Sequence, residues 1–164
     1  MPIHKISQTG FSLVEAVLFI VIVSVALAGV LSVMNYTTLH SADPLIRKQA
    51  IVVAESFLEE ITQHDFSNPS GGFSGAATPA NRAQFDDIGD YHGYASSGIF
   101  AIDNAAAPIP ELAKYNVAVS VADTTLGPAG LQIPVGGVKL ISVTITGPDN
   151  VPVVLSGYRS AYGP

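Results

Sequence analysis

Residues 10–34 read Gly-Phe-Ser-Leu-Val-Glu-Ala-Val-Leu-Phe-Ile-Val-Ile-Val-Ser-Val-Ala-Leu-Ala-Gly-Val-Leu-Ser-Val-Met, and this stretch decides the architecture. From Phe11 to Met34 the run is apolar apart from a few residues, among them Ser12, Glu15 and Ser24. A helix over it, at ~1.5 Å per residue, is ~36 Å long and can cross a hydrocarbon core of ~30 Å. Ser24 can return its hydroxyl to a backbone carbonyl one turn earlier, and Gly29 is tolerated in a membrane helix.

Outward from this run the pattern changes on both sides. Met1 to Gly10 is short and polar, with Lys5 its only firm charge. Downstream, Asp43-Pro44 interrupts the apolar pattern. Asp is a good N-cap and Pro suits a first turn, so either a new helix starts here or one helix kinks at Pro44. From Leu45 the period is amphipathic. Leu45, Ile46, Gln49, Val53, Phe57 and Ile61 fall on one face, with Arg47, Lys48, Glu55, Glu59 and Glu60 elsewhere. The helix is expected to fail near Asn68-Pro69, before Ser70-Gly71-Gly72.

Pro69 to about Ala113 is rich in Gly, Ala, Ser, Asn and Pro, and reads as a long structured loop with a short strand at Ile99 to Ile102. Tyr115, Val117, Val119 and Val121 then alternate with small and polar residues at the period of a strand. Val138 to Thr146 and Val151 to Tyr158 flank Gly147-Pro148-Asp149-Asn150, which predicts an antiparallel hairpin. Pro152 has no N–H, which makes the last strand an edge or leaves that residue at its start. Gly127 to Gly137 holds two prolines and four glycines and is read as loop. The expected fold class is α+β: a long N-terminal helix, its first half spanning a membrane, packed on a small antiparallel sheet.

Composition bounds the partners. The chain has 164 residues, room for one compact domain beside a membrane segment. Charged residues are only 12% and the net charge is −6, so no basic patch points to nucleic acid. There is no cysteine, which excludes disulfides, thiolate zinc sites and thiol redox chemistry.

The order of features at the N-terminus separates two kinds of export signal. A secretory signal peptide places its cleavage site after the apolar core, and Ala26-Leu27-Ala28 offers one. Glu15 argues against that reading, because a carboxylate in a short apolar core is costly and serves no export purpose. Gly10-Phe11-Ser12-Leu13-Val14-Glu15 instead resembles the class III leader of type IV prepilins and pseudopilins: a short basic leader ending in Gly, then Phe, Ser or Thr, Leu, a β-branched residue and Glu. The resemblance covers the first fifth of the chain. It implies cleavage after Gly10 by prepilin peptidase on the cytoplasmic side and N-methylation of Phe11. It also implies an assembly role for Glu15, whose carboxylate would meet the new amine of a neighbouring subunit.

On this resemblance the chain divides into a leader (1–10), a transmembrane helix (11–34), an amphipathic continuation (35–66), an irregular loop region (67–114) and a sheet region (115–164). The implied function is a structural or assembly-priming minor subunit of a type IV pilus, a fimbrium that can serve cell adhesion. The implied partners are other pilin subunits, the peptidase, the inner-membrane assembly platform and membrane lipid. The location would be the bacterial inner membrane, with the C-terminal domain periplasmic, and then the assembled pilus at the cell surface. Two alternatives stay open: a pseudopilin of a type II secretion system, and a membrane-anchored periplasmic binding or enzymatic domain that keeps its leader. Phe85-Asp86-Asp87-Ile88-Gly89-Asp90-Tyr91-His92-Gly93 and Leu155-Ser156-Gly157-Tyr158-Arg159 also resemble a minor pilin of the mannose-sensitive haemagglutinin type.

Catalytic signals are lacking. Ser56, Ser96 and Ser142 sit in no nucleophile elbow, and His40, His64 and His92 are read as surface histidines. Asp86, Asp87 and Asp90 are weak metal candidates, because oxygen ligands on a Gly-containing loop can hold calcium, but their spacing is not that of an EF-hand. The favoured reading is a solvated loop hydrogen-bonded to itself. No enzyme activity, cofactor or metal is expected.

Overall fold

The structure is a computed structural model that describes residues 12–40 and 43–161. Gly10 and Phe11, the expected cleavage and methylation positions, lie outside the described residues. The chain divides into two compact units, one up to Ala42 and one from Asp43.

The first unit is helix α1, Leu13–His40. The Ser12 carbonyl accepts the Ala16 N–H at 3.1 Å, opening the helical ladder one residue before Leu13. Leu13–Thr37 is long and apolar enough to cross a membrane, and none of it is buried within the structure. A signal sequence near an N-terminus meets the same criterion. The apolar span reaches Thr37, into the stretch expected to continue the helix. Ser24 Oγ donates to the Ile20 carbonyl at 2.6 Å, the bond expected of a hydroxyl inside such a helix.

The second unit starts with helix α2, Asp43–Gln63, so Asp43 and Pro44 occupy its first turn. Ala50, Val53, Ala54, Phe57 and Ile61 form its buried stripe, with Ile46 and Leu58 partly buried beside it. Leu45, expected on that face, is instead 69% exposed. The helix also ends short of Asn68-Pro69. The backbone of Asp65 is taken by a parallel bridge to the loop beyond Phe85: its N–H donates to the Asp86 carbonyl at 3.2 Å and its carbonyl accepts the Ile88 N–H at 3.0 Å.

Four strands form one antiparallel sheet in the order β1-β2-β3-β4: Ala95–Ser97, Asn116–Leu126, Ile133–Thr146 and Pro152–Ser160. Val117, Val119 and Val121 of β2 and Ile141, Val143 and Ile145 of β3 line one face of the sheet, which α2 and the 3-10 turn Ile88–Tyr91 cover to close one core. The hairpin predicted around Gly147-Asn150 is present, with Thr146 opposite Pro152 and the Asn150 N–H bonded to the Gly147 carbonyl at 3.0 Å. Asn150 takes φ 58°, a left-handed value that Asn tolerates. Pro152 satisfies both expectations, since it opens β4 and β4 is an edge strand.

Two strand assignments are corrected. Ile99 to Ile102 is not a strand; the short strand is Ala95–Ser97. Gly98, at φ +86°, turns the chain immediately after it, and an added Cβ there would stand 2.6 Å from the Pro108 side chain. Residues 133–137, read as loop, belong to β3. They fit because the ladder breaks there: Thr124 pairs with Val138 but Leu126 pairs with Ile133. Pro134, with no N–H, and Gly136, at φ +88°, lie in that unpaired stretch.

Candidate functional site

Glu15 stands in the first turn of α1 and is exposed. Its position at a helix N-terminus, where the backbone dipole favours a negative charge, lowers the cost of holding a carboxylate there. It is the only Asp, Glu, Lys or Arg between Leu13 and Thr37.

The second unit carries a polar cluster that sequence reading did not find. Arg82, from a 3-10 turn in the long loop, reaches back to α2. Its Nε donates to Glu60 Oε1 at 2.8 Å, its Nη2 donates to Glu60 Oε2, and its Nη1 donates to the Phe100 carbonyl at 2.9 Å. The guanidinium lies 4.1 Å from the centre of the Phe57 ring. Tyr91 Oη donates to Glu60 Oε1 at 2.7 Å and lies 3.0 Å from His64 Nε2. The Arg82 side chain is 7% exposed and that of Glu60 20%.

Burial alone would push the Glu60 carboxyl up, but the Arg82 and Tyr91 hydrogen bonds and the Arg82 charge outweigh it and hold the group below the usual carboxylate range. Burial and the neighbouring Glu60 push the Tyr91 phenol strongly upward, so it remains protonated. Both Glu60 oxygens are therefore occupied by hydrogen-bond donors. The effect of the cluster is to clamp the loop to α2 across the aromatic layer of Phe57, Phe85, Tyr91 and Tyr94, in which Phe85 meets Tyr91 edge-on at 4.8 Å. His64, read as a surface histidine, belongs to this cluster. Glu60 lies four residues before it, on the last turn of α2, and that spacing was the available signal. His92 is likewise engaged, its Nδ1 accepting the Val121 N–H at 3.2 Å.

Asp86, Asp87 and Asp90 do converge, with carboxylate oxygens within 4.8 Å of one another. Their main work is local. Asp87 accepts the Gly89 N–H and Asp90 Oδ2 accepts the Asp86 and Asp87 N–H groups, a capping box around the 3-10 turn Ile88–Tyr91. Asp86 Oδ2 accepts the Phe73 N–H at 2.8 Å. The loop is hydrogen-bonded to itself as expected; Asp87 is buried at 4% exposure, while Asp86 and Asp90 are half-buried and His92 and Gly93 exposed. A cavity of about 360 Å3 opens between α2 and the loop, with Val52, Phe57, Ile99 and Leu112 on its apolar side and Glu60 and Arg82 at its polar end.

The described residues thus define an α+β domain that follows, in sequence, an apolar helix long enough to cross a membrane. No family model, curated protein or solved structure matches the chain significantly.

Proposed function

We propose that the chain is a type IV pilin-like protein, made as a prepilin and assembled as a structural or priming subunit of a pilus. The observation that carries this reading is Glu15, a lone carboxylate in the first turn of a helix whose apolar span has no buried residue in the isolated chain. An apolar surface of that extent needs lipid or neighbouring helices to cover it. In this reading, prepilin peptidase cuts between Gly10 and Phe11 and methylates Phe11, and α1 waits in the inner membrane with the α+β unit in the periplasm. On assembly α1 leaves lipid and is reburied among the same helices of other subunits, which avoids the ~25 cal/mol that each Å2 of its apolar surface would cost if exposed to water. The Phe11 amine of one subunit neutralises Glu15 of its neighbour and sets the stagger between them. No catalytic role is assigned, because the clamp around Glu60 is internally satisfied.

Substitution of Glu15 tests this reading. A Glu15→Gln chain is expected to be processed and to remain in the membrane, yet to yield few or no sheared filaments when co-expressed with the assembly platform. Filament recovery equal to wild type overturns the role given to Glu15. A pseudopilin of a type II secretion system shares the leader and the helix. Long sheared filaments under ordinary expression favour the pilus, whereas filaments seen only on overexpression favour the pseudopilin.

A further inference from the structure

We propose that Lys139 and Arg159 form a binding site for a phosphate group, free or carried as a monoester, at the sheet end near the C-terminus of α2. The register places Lys139 of β3 directly opposite Arg159 of β4. Both share the strand alternation of the core-facing residues, Lys139 with Ile141, Val143 and Ile145, and Arg159 with Val153 and Leu155. Like charges directly opposite each other on paired strands repel, so the pair is unfavourable unless something lies between or beside the two cations.

Among the described residues neither cation forms an ion pair. Arg82–Glu60 is the only ion pair there. Asp123, opposite Lys139 on the other side, is exposed and forms no ion pair with it. The Asp87 carboxylate, near Gly89 and so near Lys139, accepts the Gly89 N–H and balances part of the ammonium's charge, while no carboxylate is bonded to Arg159. Lys139 Nζ donates one hydrogen to the Phe66 carbonyl at 3.1 Å and lies 5.0 Å from the Phe66 ring centre, which fixes the ammonium and leaves two donors unused. Arg159 is less satisfied: Nη1 has one long bond of 3.4 Å to the Ser160 carbonyl, and Nε is buried with no acceptor. A buried charged donor without a partner is costly. An oxyanion supplies acceptors for a planar guanidinium fork and a point-charge ammonium together, the donor combination that phosphate recognition uses.

The test uses the full chain in neutral detergent micelles, with inorganic phosphate and glycerol 3-phosphate titrated by calorimetry against chloride at matched ionic strength. Saturable phosphate binding is expected, weakened about tenfold by Lys139→Met and again by Arg159→Met, the scale of one charge-assisted hydrogen bond each. Arg159→Lys keeps the charge but lacks the Nε donor, and is expected to bind more weakly than wild type while folding normally by circular dichroism. Equal binding of glycerol 3-phosphate points to a monoester carried on a larger molecule, and preference for inorganic phosphate points to the free ion. No saturable binding of either, or binding unchanged in the folded Arg159→Lys and Lys139→Met chains, overturns the site.

Discussion

Arg82 and Glu60, 22 positions apart in sequence, meet through two hydrogen bonds, with the guanidinium over the Phe57 ring. This pair joins a loop with little regular structure to the helix that carries the core stripe. Its partners are as important as its charges: the Phe100 carbonyl and Tyr91 hydroxyl complete the coordination. The loop is therefore ordered largely by this polar knot and a layer of aromatic rings, with only the short β1 ladder to help.

Breaking that knot on one side is expected to be costly. Glu60→Gln leaves the Arg82 charge buried and uncompensated, a loss of about 3 kcal/mol. Replacing both residues, Glu60→Leu with Arg82→Met, removes the stranded charge and is expected to recover much of that loss. Chemical denaturation of the single and double variants measures it; a Glu60→Gln chain as stable as wild type contradicts the clamp.

The same pair sets an acid limit. The folded pKa of Glu60 lies below its ordinary value. Its contribution is therefore complete above the unfolded carboxyl value of about 4.3 and is lost as pH falls through the folded value. Thermal midpoints of wild type are expected to decline below about pH 4, and the gap between wild type and Glu60→Gln to narrow over that range. A gap that stays constant down to pH 3 would show that the carboxylate charge is not the stabilising element.

Tyr94 makes the opposite prediction. Its side chain is fully buried and its hydroxyl has no hydrogen-bond partner, while its ring packs against Phe57 at 5.8 Å. Tyr94→Phe keeps the ring and deletes the orphan, so the variant is expected to match or exceed wild-type stability by about 1 kcal/mol. Measured destabilisation would mean that the hydroxyl has a partner in solution.

The regular elements were legible because their signals are local. The alternation of Val117, Val119 and Val121 gave β2, and the turn residues at Gly147 to Asn150 gave the β3–β4 hairpin. Period also gave most of the α2 stripe. It misplaced Leu45 because periodicity defines a face but not how far along the helix that face is covered. The loop between Phe66 and Tyr115 was opaque for a physical reason. Its order comes from Phe85, Tyr91 and Tyr94 inserting into a distant core and from Arg82 finding Glu60, and no short window contains both halves of those contacts. Of the candidate site, Glu15 could be read from sequence because a charge inside an apolar run is conspicuous. Arg82 could not, because a single arginine in Asn81-Arg82-Ala83-Gln84 carries no sign of burial. Lys139 and Arg159 sit in strands whose register, not whose sequence, brings them together.

The central claim is that the chain enters the prepilin pathway through the segment around Gly10 and Phe11. Intact-mass and N-terminal peptide mass spectrometry, on protein from hosts with and without prepilin peptidase, tests it most directly. The predicted result is a mature chain beginning at Phe11 with one added methyl group, found only when the peptidase is present. A chain beginning at Gly29, as after ordinary signal-peptidase cleavage, or one retaining its first ten residues in both hosts, contradicts the claim and removes the assembly role from Glu15.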